Sequence, residues 1–355
     1  MREVLVKGRA GTLGAFVDGR DNNFNLLRFL AASAVLASHS FALSTGNSSS
    51  EPLRQMLGTT PGIIAVDVFF LTSGFLVSGS LVRRKAVKSF AMARALRIYP
   101  ALIVAVSLTV LAVGLWFTSL SSSSFFTNPQ TWTYWARDVT LITNVAHRLP
   151  GAFESTPWRF AVNASLWTLP YELTMYLLLA LVWLAVSQIR KEPGRVFGRA
   201  VVAIAAVAMA AHLLLIGIVS SSALRLTAMF FTGSALFVLR NRFRLNGRIF
   251  SVLLVALLAS AFREDFFARL YPLALPYLVF YLAYVPRGVV RSFNRIGDYS
   301  YGIYIYAWPV QQMTATLFTG IGPLDMFGRS FFATWLLAIV SWHWIEKPSL
   351  ERKPA

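Results

Sequence analysis

The chain has 355 residues, 56% of them apolar and only 14% charged, with 33 basic against 15 acidic side chains and no cysteine. This balance excludes an ordinary soluble globular protein, where about a quarter of residues are charged. Without thiols there can be no disulfide, no cysteine nucleophile and no cysteine-ligated metal. A net charge of +18 would suit nucleic acid in a soluble protein. Here the basic residues occupy short segments between long apolar runs, which is the pattern of membrane topology, so no nucleic-acid partner is expected.

In chain order, residues 1–25 read as a polar, basic tail without the apolar core and cleavage site of a signal peptide. The first span is expected to act as its own targeting signal. Apolar segments follow at 26–43, 63–81, 101–118, 166–187, 201–219, 226–239, 249–262, 271–285, 299–318 and 330–345. Most match the length an α-helix needs to cross a hydrocarbon core about 30 Å thick. Those at 226–239, 249–262 and 271–285 are short, as tilted or broken helices would be. With the N-terminus inside, the connections carry 24 basic residues on the inner side and 8 on the outer, and Arg28 lies within the first span. A bias kept at every turn is the positive-inside pattern. The predicted fold class is therefore all-α: a polytopic membrane protein of about ten transmembrane helices with both termini cytoplasmic. Its domain at 26–346 is flanked by tails at 1–25 and 347–355.

One connection, 119–165, is long and on the outer side, with a run Ser121–Ser124 and the aromatics Trp132, Tyr134, Trp135 and Trp158. Its expected form is a partly helical segment lying on the membrane surface, with the rings at the interface. The alternative makes the rings platforms for a sugar. Neither an internal repeat nor a separate soluble domain is visible.

Ionisable groups within spans are costly and tend to be functional. Arg28 and His39 are eleven residues apart in the first span, so they share one helix face about 16 Å apart along the axis. Asp67 in the second span and Glu172 in the fourth lie one to two turns from the outer end, near the depth of His39. An acid accepting the imidazole N–H would orient it as a general base. The plain alternative for both acids is an interhelical ion pair or polar clamp.

The inner stretch 82–99 holds Arg83, Arg84, Lys85, Lys88, Arg94 and Arg97 and no acid. Arg94 and Arg97 are neighbours on a helix, and paired guanidinium groups suit phosphate. Anionic lipid contact accounts for the rest. Ser73-Gly74-Phe75 is read as close helix packing rather than a nucleophile. No metal-ligand spacing is present, and no metal is expected.

Several segments together resemble the motifs of acyltransferase family 3, a family of integral membrane proteins. The resemblance covers roughly residues 22–350. It rests on Arg28 through His39; on Val66-Asp67-Val68-Phe69-Phe70-Leu71-Thr72-Ser73-Gly74-Phe75; on Arg94-Ala95-Leu96-Arg97; and on Trp167-Thr168-Leu169-Pro170-Tyr171-Glu172. Asp298-Tyr299-Ser300-Tyr301-Gly302 and Trp344-Ile345-Glu346-Lys347-Pro348 complete it. The chain departs from the pattern at Ala307, where members often carry histidine before Trp308-Pro309. It resembles the members whose membrane domain stands alone.

The resemblance implies transfer of an acyl group, usually acetyl, from acetyl-CoA to a hydroxyl of a cell-surface or exported glycan such as an exopolysaccharide, or of its lipid-linked precursor, in a bacterial inner membrane. His39, Asp67 and Glu172 would be catalytic. Arg28, Arg94 and Arg97 would bind the CoA donor, and Tyr304 and Trp308 would line the acceptor side, with core packing as the plain alternative for these two. Acyl-CoA, the glycan and membrane lipids are the expected partners, and a homodimer is left open. The competing function is a flippase of lipid-linked sugars with His39, Asp67 and Glu172 as a proton relay. A non-enzymatic membrane scaffold would leave the intramembrane acids without a role.

Overall fold

The computed structural model describes residues 11–17, 21–84, 86–188, 193–219 and 221–352. Most of the predicted N-terminal tail, Lys85 and the last three residues lie outside these. Among the described residues there is no strand, only two isolated β-bridges, Thr12–Arg244 and Thr118–Ala152.

The main helices in chain order are α1 Phe24–Thr45, α2 Pro61–Arg84, α3 Val87–Ala112 (continued by a wide turn, Val113–Phe117), α4 Pro129–Thr140, α5 Thr168–Ser187, α6 Pro193–Leu214, α7 Ser222–Val238, α8 Gly247–Ser260, α9 Glu264–Tyr284, α10 Ser300–Leu317 and α11 Pro323–Ser341. Beyond α11 a wide turn, Trp342–Glu346, leads into a short helix, Lys347–Glu351. Each of the ten predicted spans falls on one of these helices, α4 being the extra one. Seven, counting their extensions, are long and apolar enough to cross a membrane; α7 and α8 are apolar but shorter. α10 is not among the seven, since it carries Gln311, Gln312 and Thr314. Those polar groups face protein: nearly the whole surface of α10 is buried.

Four helix starts differ from expectation by seven residues or more, that of α11 at Pro323 rather than 330 among them. α3 starts at Val87, so Arg94 and Arg97 stand inside a helix rather than at the mouth of a loop. α6 starts at Pro193, a residue suited to a first turn because its missing N–H has no partner there anyway. α9 starts at Glu264, with Asp265 next, and acids in a first turn complement the helix dipole. Its 21 residues run through Pro272 and Pro276, so it is not the short span that was predicted.

α1, α2 and α10 form the centre. α2 packs on α1 and α7, α10 on α1 and α11, and α8 leans mainly on α9. The crossing of α2 with α7 is very close. A Cβ on Gly74 would lie 1.9 Å from the Phe230 carbonyl oxygen, and one on Gly233 would lie 1.9 Å from that of Leu71. The Ser234 hydroxyl donates to the Gly74 carbonyl at 3.1 Å across this seam. Small residues here let two backbones touch.

Segment 119–165 does not lie flat. Phe125 abuts Gly114, the Trp135 indole N–H donates to Ser107 Oγ at 2.9 Å, and the Tyr99 hydroxyl donates to the Thr140 carbonyl at 3.3 Å. α4 thus descends antiparallel to α3, whose residues 99–114 span about 22 Å of axis. The chain then climbs back and covers α10: Trp308 and Gln312 donate to the Ala161 carbonyl, and Asn163 donates to the Ile305 carbonyl. These bonds satisfy backbone groups of a non-helical stretch that is packed among helices.

The turn after α4 depends on Asp138, which is fully buried and accepts the Ala146 N–H at 2.6 Å. Burial pushes its carboxyl up to about 7, with the Ala146 N–H pulling the other way.

Two measurements follow. Gly74→Val should wedge α2 from α7 and lower stability by about 2–3 kcal/mol; an unchanged thermal midpoint in detergent would refute the seam. The raised carboxyl of Asp138 means the folded state binds a proton that the unfolded state has lost. Stability should therefore fall as pH rises from about 4 to about 7 and level off above. Asp138→Asn should remove that part of the slope, and parallel pH profiles for parent and variant would contradict the burial argument.

Candidate functional site

Three polar layers lie along α1 and α10, which run side by side. The first is a cluster of four charges. Arg97 Nη2 of α3 donates to Asp298 Oδ2 at 2.5 Å, Arg97 Nη1 stands 3.5 Å from Glu346 Oε2, and Arg28 Nε of α1 stands 3.6 Å from the same Asp298 oxygen. Arg28 also donates to Ser300 Oγ at 3.3 Å, and the Ser300 hydroxyl donates to Asp298 Oδ1 at 2.5 Å. The guanidinium groups lie over the rings of Phe69 and Tyr301. Two cations meet two anions, so the layer is neutral as a set, which is how charges are tolerated at a desolvated site. Local backbone makes this possible. A Cβ at Gly302 would lie 2.8 Å from Ala338, so glycine lets α10 close on α11 and bring Glu346 inward.

The second layer is a narrow cavity of about 40 Å³, room for about three waters. Arg28, Phe69, Ser73, Thr168, Glu172, Tyr301 and Tyr304 are among its walls. Glu172 accepts the Tyr176 hydroxyl and that of Ser73 at 3.4 Å. The Tyr304 hydroxyl donates to the Ser165 carbonyl at 2.5 Å and stands 2.6 Å from Thr168 Oγ1. Arg94 lies over the Tyr176 ring, its buried Nε without a hydrogen-bond partner. Ser73 is thus part of a hydroxyl–carboxylate group shared with Glu172 and Tyr176.

The third layer holds His39. Its ring meets Trp308 edge-on, centroids 4.8 Å apart, and its buried Nδ1 has no hydrogen-bond partner. Trp308 lies one turn beyond Tyr304 on α10, about 6 Å along the axis. The acid whose charge acts on His39 is Glu51, held by the Ser38 hydroxyl and by Arg54 at 3.0 Å. Beside it, Gln311 of α10 donates to Leu36 O and Ser40 Oγ of α1 at 2.9 and 2.7 Å.

Arg28 and His39 therefore lie at two ends of one face of α1, and the cavity extends from Arg28 to Tyr304, one turn short of the Trp308 that meets His39. Asp67 does not join them. Its carboxylate is ion-paired with Arg225 of α7 and accepts the Tyr271 hydroxyl of α9 at 2.9 Å, which ties three helices together without a bond to the imidazole. Glu172 is on the cavity wall but bonds to Tyr176 and Ser73 rather than to His39. The expected bond from an acid of α2 or α5 to the imidazole is not present in this structure: Asp67 and Glu172 are bonded to residues of their own surroundings instead. The residues that sequence reasoning missed are Glu51, Tyr176, Arg225, Tyr271, Asp298 and Glu346. Asp298 and Glu346 lay within recognised motifs, and a search for acids complementary to Arg97 would have found them. Among the described residues no group of three His, Asp or Glu side chains could hold a metal ion.

No solved structure matches the chain. It is similar to a protein of Shigella phage Sf6 named O-acetyl transferase, 29% identical over 362 residues, 94% of this chain and 97% of that one. It also resembles Nodulation protein 10 of Rhizobium leguminosarum bv. viciae, 33% identical over 174 residues, 46% of this chain and 44% of the relative. The family pattern described as an acyltransferase domain matches residues 21–343, nearly the whole chain, and the chain therefore belongs to acyltransferase family 3.

Proposed function

We propose that this acyltransferase moves an acetyl group from cytoplasmic acetyl-CoA to a hydroxyl of a cell-surface or exported glycan, or of its lipid-linked precursor. The observation that carries the reading is the unpartnered, buried Nδ1 of His39, at the outer end of the α1 face that carries Arg28. Similarity to a protein named O-acetyl transferase over almost the whole of both chains supports the acyl group and the oxygen acceptor. The positive-inside bias supports ten crossings with both termini cytoplasmic and the Arg28 end facing the cytoplasm, and the resemblance implies a bacterial inner membrane.

In this reading the donor enters from the basic side and passes Arg28, Arg94 and Arg97, and its thioester reaches the level of Tyr304 and Trp308. An acceptor hydroxyl binds beside His39, which takes its proton. The oxygen attacks the thioester carbonyl, the C–S bond breaks, and the departing thiolate receives the proton from the imidazolium. Glu51 stabilises the imidazolium through space. Glu172, with Ser73 and Tyr176, forms the polar wall of the cavity, and Asp67 holds the helices that frame it. Trp308 supports the His39 ring and Tyr304 narrows the passage. The flippase alternative needs a continuous relay from His39 through Asp67 to Glu172, and the carboxylates are bonded elsewhere.

His39→Ala should lower transfer by about 10²–10⁴-fold with CoA affinity retained; transfer at the parent rate would remove His39 from the chemistry. Arg97→Gln leaves Glu346 and half of Asp298 uncompensated and should cost about 3–5 kcal/mol of stability. Pairing it with Glu346→Gln restores neutrality, so folding should recover while CoA binding stays weak. Recovery of both would make Arg97 purely structural.

A further inference from the structure

An open cleft of about 1070 Å³ lies at the start of α1, bordered by Asp21, Asn25, Leu76, Arg287, Arg291 and Arg295 among others. It is built from the connection between α9 and α10, the start of α1, and Leu76 two turns before the end of α2. Its place relative to the narrow cavity is set by helix geometry. Asn25 precedes Arg28 on α1, and Leu76 follows Ser73 on α2, so on both walls the cleft begins about 4.5 Å below the cavity. The Asn25 N–H donates to Asn294 Oδ1 at 3.3 Å, which fastens the connection to α1. A volume of this size is that of a site for a sizeable ligand, whereas the cavity above it admits only a thin chain.

The charges of the cleft differ in kind from those deeper in. Arg28 and Arg97 are neutralised by Asp298 and Glu346. Arg291 is structural: it pairs with Asp21 and donates to the carbonyls of Tyr284 and Pro286. Arg287 and Arg295 are exposed, and neither has an ion-pair or hydrogen-bond partner for its side chain among the described residues. Two unneutralised guanidinium groups on the rim of a concave site, with aliphatic Leu76 and Val289 beside them, suit a ligand with several phosphates and an apolar ring. A flat basic surface for lipid headgroups would need no such concavity.

We infer that this cleft binds the phosphorylated adenosine end of the CoA donor, with Arg287 and Arg295 on its phosphates. The inference rests on the donor assigned above. Length supports it. A fully extended pantetheine arm has the backbone of about five peptide residues, roughly 17 Å. From Ser300, bonded to Arg28, to Trp308, against His39, is eight residues of α10, about 12 Å, and the cleft begins about 4.5 Å lower. With the phosphates held in the cleft, the arm runs past Arg28 through the cavity and brings the thioester level with Tyr304 and Trp308. The bulky end stays in the cleft, and Arg28 and Arg97 meet the arm with their carboxylates still paired.

The test is CoA binding by the full chain in nanodiscs of zwitterionic lipid, comparing parent, Arg287→Ser/Arg295→Ser, and Arg287→Lys/Arg295→Lys, with pantetheine as the ligand without phosphates. The serine pair should bind CoA at least about tenfold more weakly and with a shallower salt dependence, while pantetheine binding and the thermal midpoint stay at parent values. The lysine pair should recover much of the CoA affinity. If parent and serine pair bind CoA equally, the cleft serves lipid headgroups or solvent and the assignment fails, although acetyl transfer from acetyl-CoA by the parent would still uphold the donor. If the parent itself neither binds CoA nor transfers from acetyl-CoA, the donor reading fails first.

Discussion

The structure depends on one electrostatic constraint: two arginines inside a helical bundle must find their anions there. Arg28 and Arg97 come from different helices and share Asp298, and Glu346 completes the neutral set. Each of these residues taken alone would be expensive to desolvate. Together they fix the relative positions of α1, α3, the start of α10 and the turn after α11, four elements that lie far apart in sequence. The cavity lies directly above this set and shares Arg28 with it, so the cluster that holds the bundle together also forms one wall of the functional space.

A second polar clamp acts on the other side of the centre. Asp67, Arg225 and Tyr271 bind α2, α7 and α9, and the glycine contacts between α2 and α7 bring those helices to touching distance. Both clamps are made of charges that a scan for catalytic groups would flag. The first lines the narrow cavity through Arg28 and the second is absent from its walls, and that difference separates a candidate site from a fastening.

Much of the architecture was legible. The apolar runs located the ten helices because hydrophobic length is set by the bilayer, and helical periodicity placed Arg28 and His39 on one face. The ends of α3 and α9 were misjudged because a helix can continue past arginine or begin on acids, which a hydrophobic window cannot see. α4 was taken for a surface segment because its aromatic rings fit an interface as well as a groove beside α3. Partner choice was the least legible layer. Depth along the membrane put His39, Asp67 and Glu172 at one level, but which way each helix turned was decided by distant residues such as Arg225 and Tyr176. Glu51, a lone acid in a short loop, gave no signal of its own.

The glycine seam between α2 and α7 has a mechanical meaning for turnover. Backbones in contact cannot slide or rotate against each other without collision, so this half of the bundle behaves as a fixed bearing. In the proposed reaction, any widening that admits the thioester comes from the opposite wall, where among the described residues the Tyr304 hydroxyl meets the Thr168 side chain and the Ser165 carbonyl. The same wall carries the folded-back stretch that caps α10. Passage of the donor on one side and release of the modified acceptor on the other would then be timed by a single hinged surface working against an immobile one.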